Sequence, residues 1–354
     1  MGLPSITIAF KEMASTAIRR SQKGTIAIIL KDSKSNGGHV LYNKDDIPSD
    51  IGIANKAYVE RAFIGNVNEP VKVILYILPS AATEYTDAFK YFETSKFDYL
   101  VGDPAITETL SEAVVTWVKA EREKGHNVKA VLPSITADCE AVVNFTTGGI
   151  KAGTTSITTA AYCSRIAGLI VGTPLTQSTT YTQLPELAEV EKLTKSELDS
   201  KIDDGEFILF SDSEKIKVGR GVTSLTTVSG NKTEAMKKIK IVETMDMIQT
   251  DIIETCEDSY IGKMANSYDN KCILMSAIKE YLEGLETEGI LESGKSEVGI
   301  DMDAQKQYIT SNGGNVNDMT EQEIKEYNTG DKVFLAIYIR MLDAIEDIKI
   351  NVYM

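Results

Sequence analysis

Two hydrophobic periods alternate along the chain, and their order predicts its elements. Ile6, Ile8 and Phe10 alternate with Ser5, Thr7 and Ala9, the period-2 pattern of a half-buried strand. After a polar, partly basic stretch over residues 11–23, Gly24 introduces the apolar run Thr25-Ile26-Ala27-Ile28-Ile29-Leu30. A second run, Val71-Lys72-Val73-Ile74-Leu75-Tyr76-Ile77-Leu78, is closed by Pro79. Residues 24–82 therefore read as a small β-rich domain.

The period then lengthens. Tyr85, Phe89 and Phe92 sit at helical spacing, and Phe97-Asp98-Tyr99-Leu100-Val101 reads as a strand. A helix starting near Ser111 turns Val114, Val115 and Val118 inward and Lys119, Glu121 and Lys124 outward, and Gly125 stops it. The strand Val128-Lys129-Ala130-Val131-Leu132 follows, so the spacing predicts a βαβ unit and a parallel sheet. This central α/β domain, residues 83–228, also holds a small-residue helix within 153–172 and helical charge patterning over 187–202. A hairpin turns at Ser211-Asp212-Ser213-Glu214.

The last third reads as mostly helical. Ile241, Met245, Ile248 and Ile252 form an amphipathic stripe, and Glu243, Asp246, Asp251, Glu254 and Asp258 lie off it, with no basic residue over 241–258. A second helix carries Leu274, Ile278, Tyr281, Leu282 and Leu285. Residues 333–339 read as a strand, and Ile348, Ile350 and Val352 alternate with polar neighbours in the run that ends at Met354. The expectation is a multi-domain α+β chain. It comprises an N-terminal strand arm and linker (1–23), a β-rich domain (24–82), a central α/β domain (83–228), a C-terminal domain (229–342) and a C-terminal strand arm (343–354).

Composition narrows the function. With 42% hydrophobic and 25% charged residues over 354 positions, the chain is an ordinary globular protein long enough for two or three domains. Cys139, Cys163, Cys256 and Cys272 form no CxxC pair, and His39 and His126 are the only histidines, so no metal or other cofactor is expected. The start lacks the features of a signal peptide, and no apolar run reaches the ~18 residues of a membrane span. A reducing cytoplasm and no membrane insertion are expected. A net charge of -15 repels phosphate backbones and argues against nucleic acid, while suiting solubility or a basic protein partner.

Catalytic motifs do not hold up. Gly289-Ile290-Leu291-Glu292-Ser293-Gly294-Lys295-Ser296 matches the phosphate-binding GxxxxGK[ST] pattern, which keeps a P-loop-like nucleotide-binding enzyme as an alternative. That chemistry needs a strand before the loop and a helix after it, and the order here is inverted. No GxSxG elbow is present, and the loop from Asp32 departs from a calcium loop at Lys34 and Asn43. The apolar arms at both ends can pair with each other or add to a neighbour's sheet edge. Head-to-tail addition that does not close makes an open helical polymer, which also admits a non-contractile shell or adhesin subunit.

The opening arm from Gly2 to Phe10 with Gly24-Thr25-Ile26-Ala27-Ile28, the helix segment Val115-Thr116-Trp117-Val118, and Leu193-Thr194 ahead of Gly205-Glu206-Phe207-Ile208-Leu209 follow one another in a telling order. Together these segments resemble the contractile tail sheath proteins of phages, prophage remnants and R-type bacteriocins, most nearly the short Gram-positive sheaths. The most specific is Val218-Gly219-Arg220-Gly221-Val222-Thr223-Ser224, where the family usually has Asn at the position of Thr223. Residues 239–248, Tyr260-Ile261-Gly262-Lys263, Asn266 and Asp343-Ala344-Ile345-Glu346-Asp347-Ile348 continue the likeness. The resemblance implies a structural subunit, not an enzyme, assembled in a bacterial cytoplasm and released as part of a phage tail or bacteriocin. It implies a helical homopolymer around an inner tail tube protein, built on a baseplate and contracting once. The arms, with Ile6, Ile8 and Phe10 at one end and Ile348, Ile350 and Val352 at the other, would join neighbours. The acidic residues Glu243, Asp246, Asp251, Glu254 and Asp258 would face the tube or an adjacent subunit.

Overall fold

A computed structural model describes residues 24–230 and 232–354. The N-terminal arm with Ile6, Ile8 and Phe10 lies outside the described residues. Among those described, residues 24–243 with 343–354 make one compact unit and residues 244–342 a second.

The first unit is built on a seven-stranded sheet. Its strands are β1 (Thr25–Asp32), β2 (Gly37–Leu41), β3 (Lys72–Pro79), β4 (Tyr99–Val101), β5 (Lys129–Pro133), β6 (Val142–Phe145) and β9 (Glu206–Phe207). They lie in the order β2-β3-β1-β4-β5-β6-β9. All neighbours are parallel except β2, which runs antiparallel to β3. Because β1 pairs with β3 on one side and β4 on the other, the segments expected as separate domains, 24–82 and 83–228, share one sheet. The boundary expected at 82/83 falls between strands of this one sheet.

Parallel strands are covered on both faces, so they read as continuous apolar runs. On β1, Ile26, Ile28 and Leu30 face one core, shared with helices α1 (Ile53–Ala62) and α4 (Thr159–Val171). Ala27 and Ile29 face the other, shared with α2 (Thr86–Phe92) and α3 (Glu108–Glu123). Helix α3 buries Val114, Val115 and Val118 as their spacing predicts. It starts three residues earlier than expected, because Thr107 caps it by accepting from the Leu110 N–H. Gly125 follows it at φ +92°, a backbone conformation that suits glycine.

One local reading is corrected and one helix had no reading. Of the helical pattern over 187–202, the part that forms is α5 (Lys195–Asp203), opened by a capping box of Thr194 and Glu197. Upstream of it, Glu189 instead bridges Lys151 on β7 (Ile150–Ala152), which pairs with β8 (Thr155–Ile157). Helix α1 was not legible, since Tyr58, Val59 and Ala62 are its only buried residues and its amphipathic pattern is weak. The hairpin is found as β10 (Leu209–Ser211) against β11 (Ile216–Val218), with the Asp212 carboxylate accepting from the N–H groups of Glu214 and Lys215.

The second unit takes most of α6 (Ile239–Ser259), then α7 (Tyr268–Thr287), α8 (Met302–Ser311), α9 (Glu321–Glu326) and the antiparallel pair β12 (Glu297–Ile300) and β13 (Leu335–Tyr338). Ile278, Tyr281, Leu282 and Leu285 of α7 are buried, as the sequence predicts.

One helix contact is tight enough to test. At Gly168 of α4 a Cβ would lie 2.2 Å from the carbonyl oxygen of Ala62, the last residue of α1. Alanine gains about 0.8–1 kcal/mol of helix propensity over glycine, but overpacking costs about 1–3 kcal/mol. Gly168→Ala is expected to destabilise the chain by about 1–2 kcal/mol, read as a lower urea midpoint at unchanged slope.

Candidate assembly interface

The chain returns to the first unit at Asp343, and the next five residues are anchored there by charge. The Glu346 side chain is 4% exposed. Its Oε1 accepts from Ser178 Oγ at 2.9 Å and Thr180 Oγ1 at 2.6 Å. Lys238 Nζ lies 3.1 Å from Oε2, and Arg220 Nε lies 3.6 Å from it. Arg220 also donates from Nη2 to Asp347 at 2.6 Å, and Lys238 to Asp343. Two cations thus face three carboxylates, an arrangement that offsets the cost of burying one of them.

The scaffold around this cluster is stiff. The Gly221 N–H donates to Thr180 Oγ1 at 3.0 Å, and a Cβ at Gly221 would come within 2.5 Å of Thr179 Oγ1. Tyr181 stands at φ +59°, a sparse region for an aromatic residue, with its N–H held by the Val218 carbonyl at 3.0 Å. The hydrogen bond to Asp347 leads the effects that raise Arg220 above its ordinary pKa. For Lys238, burial alone would lower the pKa, but hydrogen bonds to Asp343 and Glu346 outweigh it and raise it. A raised cation pKa keeps its contribution below the unfolded value and loses it only as pH climbs through the folded value. From the cation side, the anchor therefore holds until strongly alkaline pH.

Beyond Asp347 the pattern reverses. Ile348, Ile350 and Val352 are 74%, 76% and 78% exposed, and residues 348–354 pair with no strand among the described residues. This segment of alternating apolar and polar residues, expected as a strand, lies in no strand or helix; it is held at its root and bare along its length.

The acidic residues do not form the outward face expected of them. Asp246 and Asp251 are each 3% exposed, and Asp251 accepts from the Tyr281 hydroxyl at 2.9 Å. Glu243 accepts from the Tyr99 hydroxyl at 2.7 Å and lies 3.3 Å from Lys129 Nζ. Glu254 is half-buried and Asp258 exposed. One buried face of α6 runs through Ile241, Thr244, Ile248, Asp251 and Thr255, so one carboxylate lies on that stripe; Asp246 is buried on another side, one turn after Val242, and Ile253 is exposed. Asp246 and Asp251 are therefore corrected as surface contacts.

Sites for other chemistry are filled by the chain itself. In the Gly289–Ser296 loop, the N–H groups of Gly294 and Ser296, which a phosphate would need, donate to Glu286 at 2.8 and 2.9 Å. A helix precedes the loop and β12 follows it. In the parallel sheet, the crevice where ligands usually bind opens at the strand ends beside β1 and β4. There Tyr85 Oη donates to Asp103 at 2.5 Å, Lys31 lies 3.5 Å from the same oxygen, and Tyr58 Oη donates to the Gly102 carbonyl at 2.7 Å. His126 meets Glu121 at 2.7 Å and His39 the Ser35 carbonyl at 2.7 Å. Among the described residues no group of three or more His, Cys, Asp or Glu could hold a metal, and no helix is long and apolar enough to cross a membrane.

The description "phage tail sheath protein central domain" matches residues 80–224, and "phage tail sheath C-terminal domain" matches residues 231–354. The tail sheath protein of Clostridium phage phiCD119 is 40% identical over 362 aligned residues, covering 100% of this chain and 99% of that protein. The chain belongs to the phage tail sheath protein family. Its fold is shared with the sheath tail protein Lin1278 of Listeria innocua, at TM-score 0.70 and 15% identity over 84% of this chain and 93% of that one. It is shared too with the helical sheath of the anti-feeding prophage in its contracted state, at TM-score 0.70 and 15% identity over 93% of each chain.

The anchor residues Ser178, Thr180 and Lys238 were not legible as a site. Arg220 and Glu346 stood in segments that resemble the family, but their meeting across more than a hundred positions leaves no local pattern. Glu346→Gln turns amide N–H groups toward two partly exposed cations and should cost about 1 kcal/mol, a fall of roughly 2–4 °C in melting temperature. Addition of about 1 mM MgATP should leave that temperature unchanged, whereas a site at a hundred times its Kd would add about 2.7 kcal/mol.

Proposed function

We propose that this chain is the repeating subunit of a contractile tail sheath. It polymerises helically around an inner tail tube from a baseplate and shortens once to drive the tube through a target envelope. The observation that carries this reading is the bare alternating segment 348–354 on a fixed root. The relatives' names support the setting: one is a phage tail sheath protein, another a sheath captured contracted. The subunit works as structure without turnover, is assembled in the bacterial cytoplasm and leaves in the phage tail or bacteriocin particle.

The arm adds to a neighbour's sheet edge. The pair β12–β13 is a suitable acceptor, because a two-stranded sheet is marginal alone and gains from further strands. Ordering seven residues costs roughly 7–14 kcal/mol. About four ladder hydrogen bonds return roughly 4 kcal/mol. Burial of Ile348, Ile350 and Val352 returns roughly 5–9 kcal/mol. One contact is close to balance, and a lattice of contacts holds by multivalency. The N-terminal arm, through Ile6, Ile8 and Phe10, supplies a second link of the same kind. Glu254 and Asp258 remain candidate contacts to the tube or a neighbour.

Removal of residues 348–354, or Ile350→Lys, should leave a folded subunit with a melting temperature within about 2 °C of the parent and no polymers by electron microscopy. Normal polymers from either variant would remove the arm from assembly. Polymers that never shorten would point to a static shell.

A further inference from the structure

The arm and its root are built from different chemistry, and the join between them is abrupt. Residues 343–347 are tied to the first unit by the ion pairs of Asp343, Glu346 and Asp347, while residues 348–354 alternate apolar with polar side chains and are bare. Glu346 is the one residue of this stretch whose side chain is buried, and its four partners come from three separate segments: the loop at Ser178 and Thr180, Arg220 after β11, and Lys238 before α6. Ile345, next to it, is 87% exposed, so no apolar contact of that side chain holds the root in place. The strained backbone at Tyr181 ends the same loop that grips Glu346.

We propose that Glu346 with Arg220, Lys238, Ser178 and Thr180 is an ionic latch that sets the direction in which the arm leaves its subunit. This deepens the assembly reading and rests on it. With the latch closed, a neighbour has to order only residues 348–354. With it open, it has to order the whole stretch 343–354, and the arm points in no fixed direction. The latch is made of partly exposed ion pairs, with Arg220 32% and Lys238 27% exposed, so salt weakens it. The arm itself, which is apolar, gains from salt no such release. Latch and strand addition therefore respond differently to ionic strength.

Limited proteolysis of the full-length subunit separates the two. A glutamate-specific protease cuts after Glu346 only when the latch is open, while trypsin cuts after Lys349 in the bare arm whether it is open or closed. Rates are read by mass spectrometry of the released peptides 347–354 and 350–354, each normalised to a synthetic peptide of residues 338–354. In the parent chain, cutting at Glu346 should be slow, and Arg220→Met with Lys238→Met should speed it about tenfold while cutting at Lys349 stays constant. Lys238→Arg alone should keep it slow. About 0.5 M NaCl should act in the direction of the double variant. A Glu346 rate within twofold of the parent in the double variant overturns the latch. So does a joint rise at both sites with a fall in melting temperature, which would mean that the cluster only supports the fold. Failure of the assembly reading looks different: the latch behaves as described, but no preparation of the native protein forms polymers.

Discussion

Coverage of the parallel sheet on both faces is the constraint from which the rest of the structure follows. Each strand of β1, β3, β4 and β5 contributes side chains to two cores at once, so helices must lie on both sides and the sheet has little free surface left. Close approach of α1 and α4 depends on Gly168, and the ends of the strands are closed by Tyr58, Tyr85, Lys31 and Asp103. A sheet packed in this way is a rigid platform. The strand ends beside β1 and β4 hold the chain's own hydroxyls and carboxylates where parallel α/β sheets usually bind a ligand.

Rigidity in the platform moves the interesting physics to the margin. A bare strand of isoleucine and valine is a hazard in a soluble protein, because an unpaired edge recruits other chains indiscriminately. Two features manage it here. The net charge of -15 keeps dilute subunits apart, and the arm is short enough that a single pairing barely offsets the entropy of ordering it. In the proposed assembly, association then depends on several simultaneous contacts, which a growing lattice offers. The ion pairs at Glu346 fit this scheme, since they hold the root of the arm without covering its apolar face.

The acidic helix α6 carries a lesson about reading charge from a sequence. Its stripe of Ile241 and Ile248 was legible, and both are buried. The inference that every carboxylate off that stripe faces solvent fails at Asp246 and Asp251, because this helix buries more than one side and its buried polar residues find partners. The hydroxyl of Tyr281, itself fully buried, is what makes Asp251 tolerable inside.

Local pattern by itself determined the elements whose physics is local. The period of Val114, Val115 and Val118 with Gly125 after it marked α3, the polar break at Ser211 to Glu214 marked the hairpin, and ordered likeness along the chain marked the family. The alternation of Ile348, Ile350 and Val352 marked a strand in want of a sheet. Tertiary structure alone decided that β1 would join the first 60 residues of the sheet to the rest, that α1 would form from a weakly patterned segment, and that Glu346 would meet Arg220 and Lys238. The reason is the same in each case. A period of two or 3.6 residues is set by backbone geometry and shows in neighbouring positions, whereas strand order and buried ion pairs are set by packing between distant segments and leave no trace in either one.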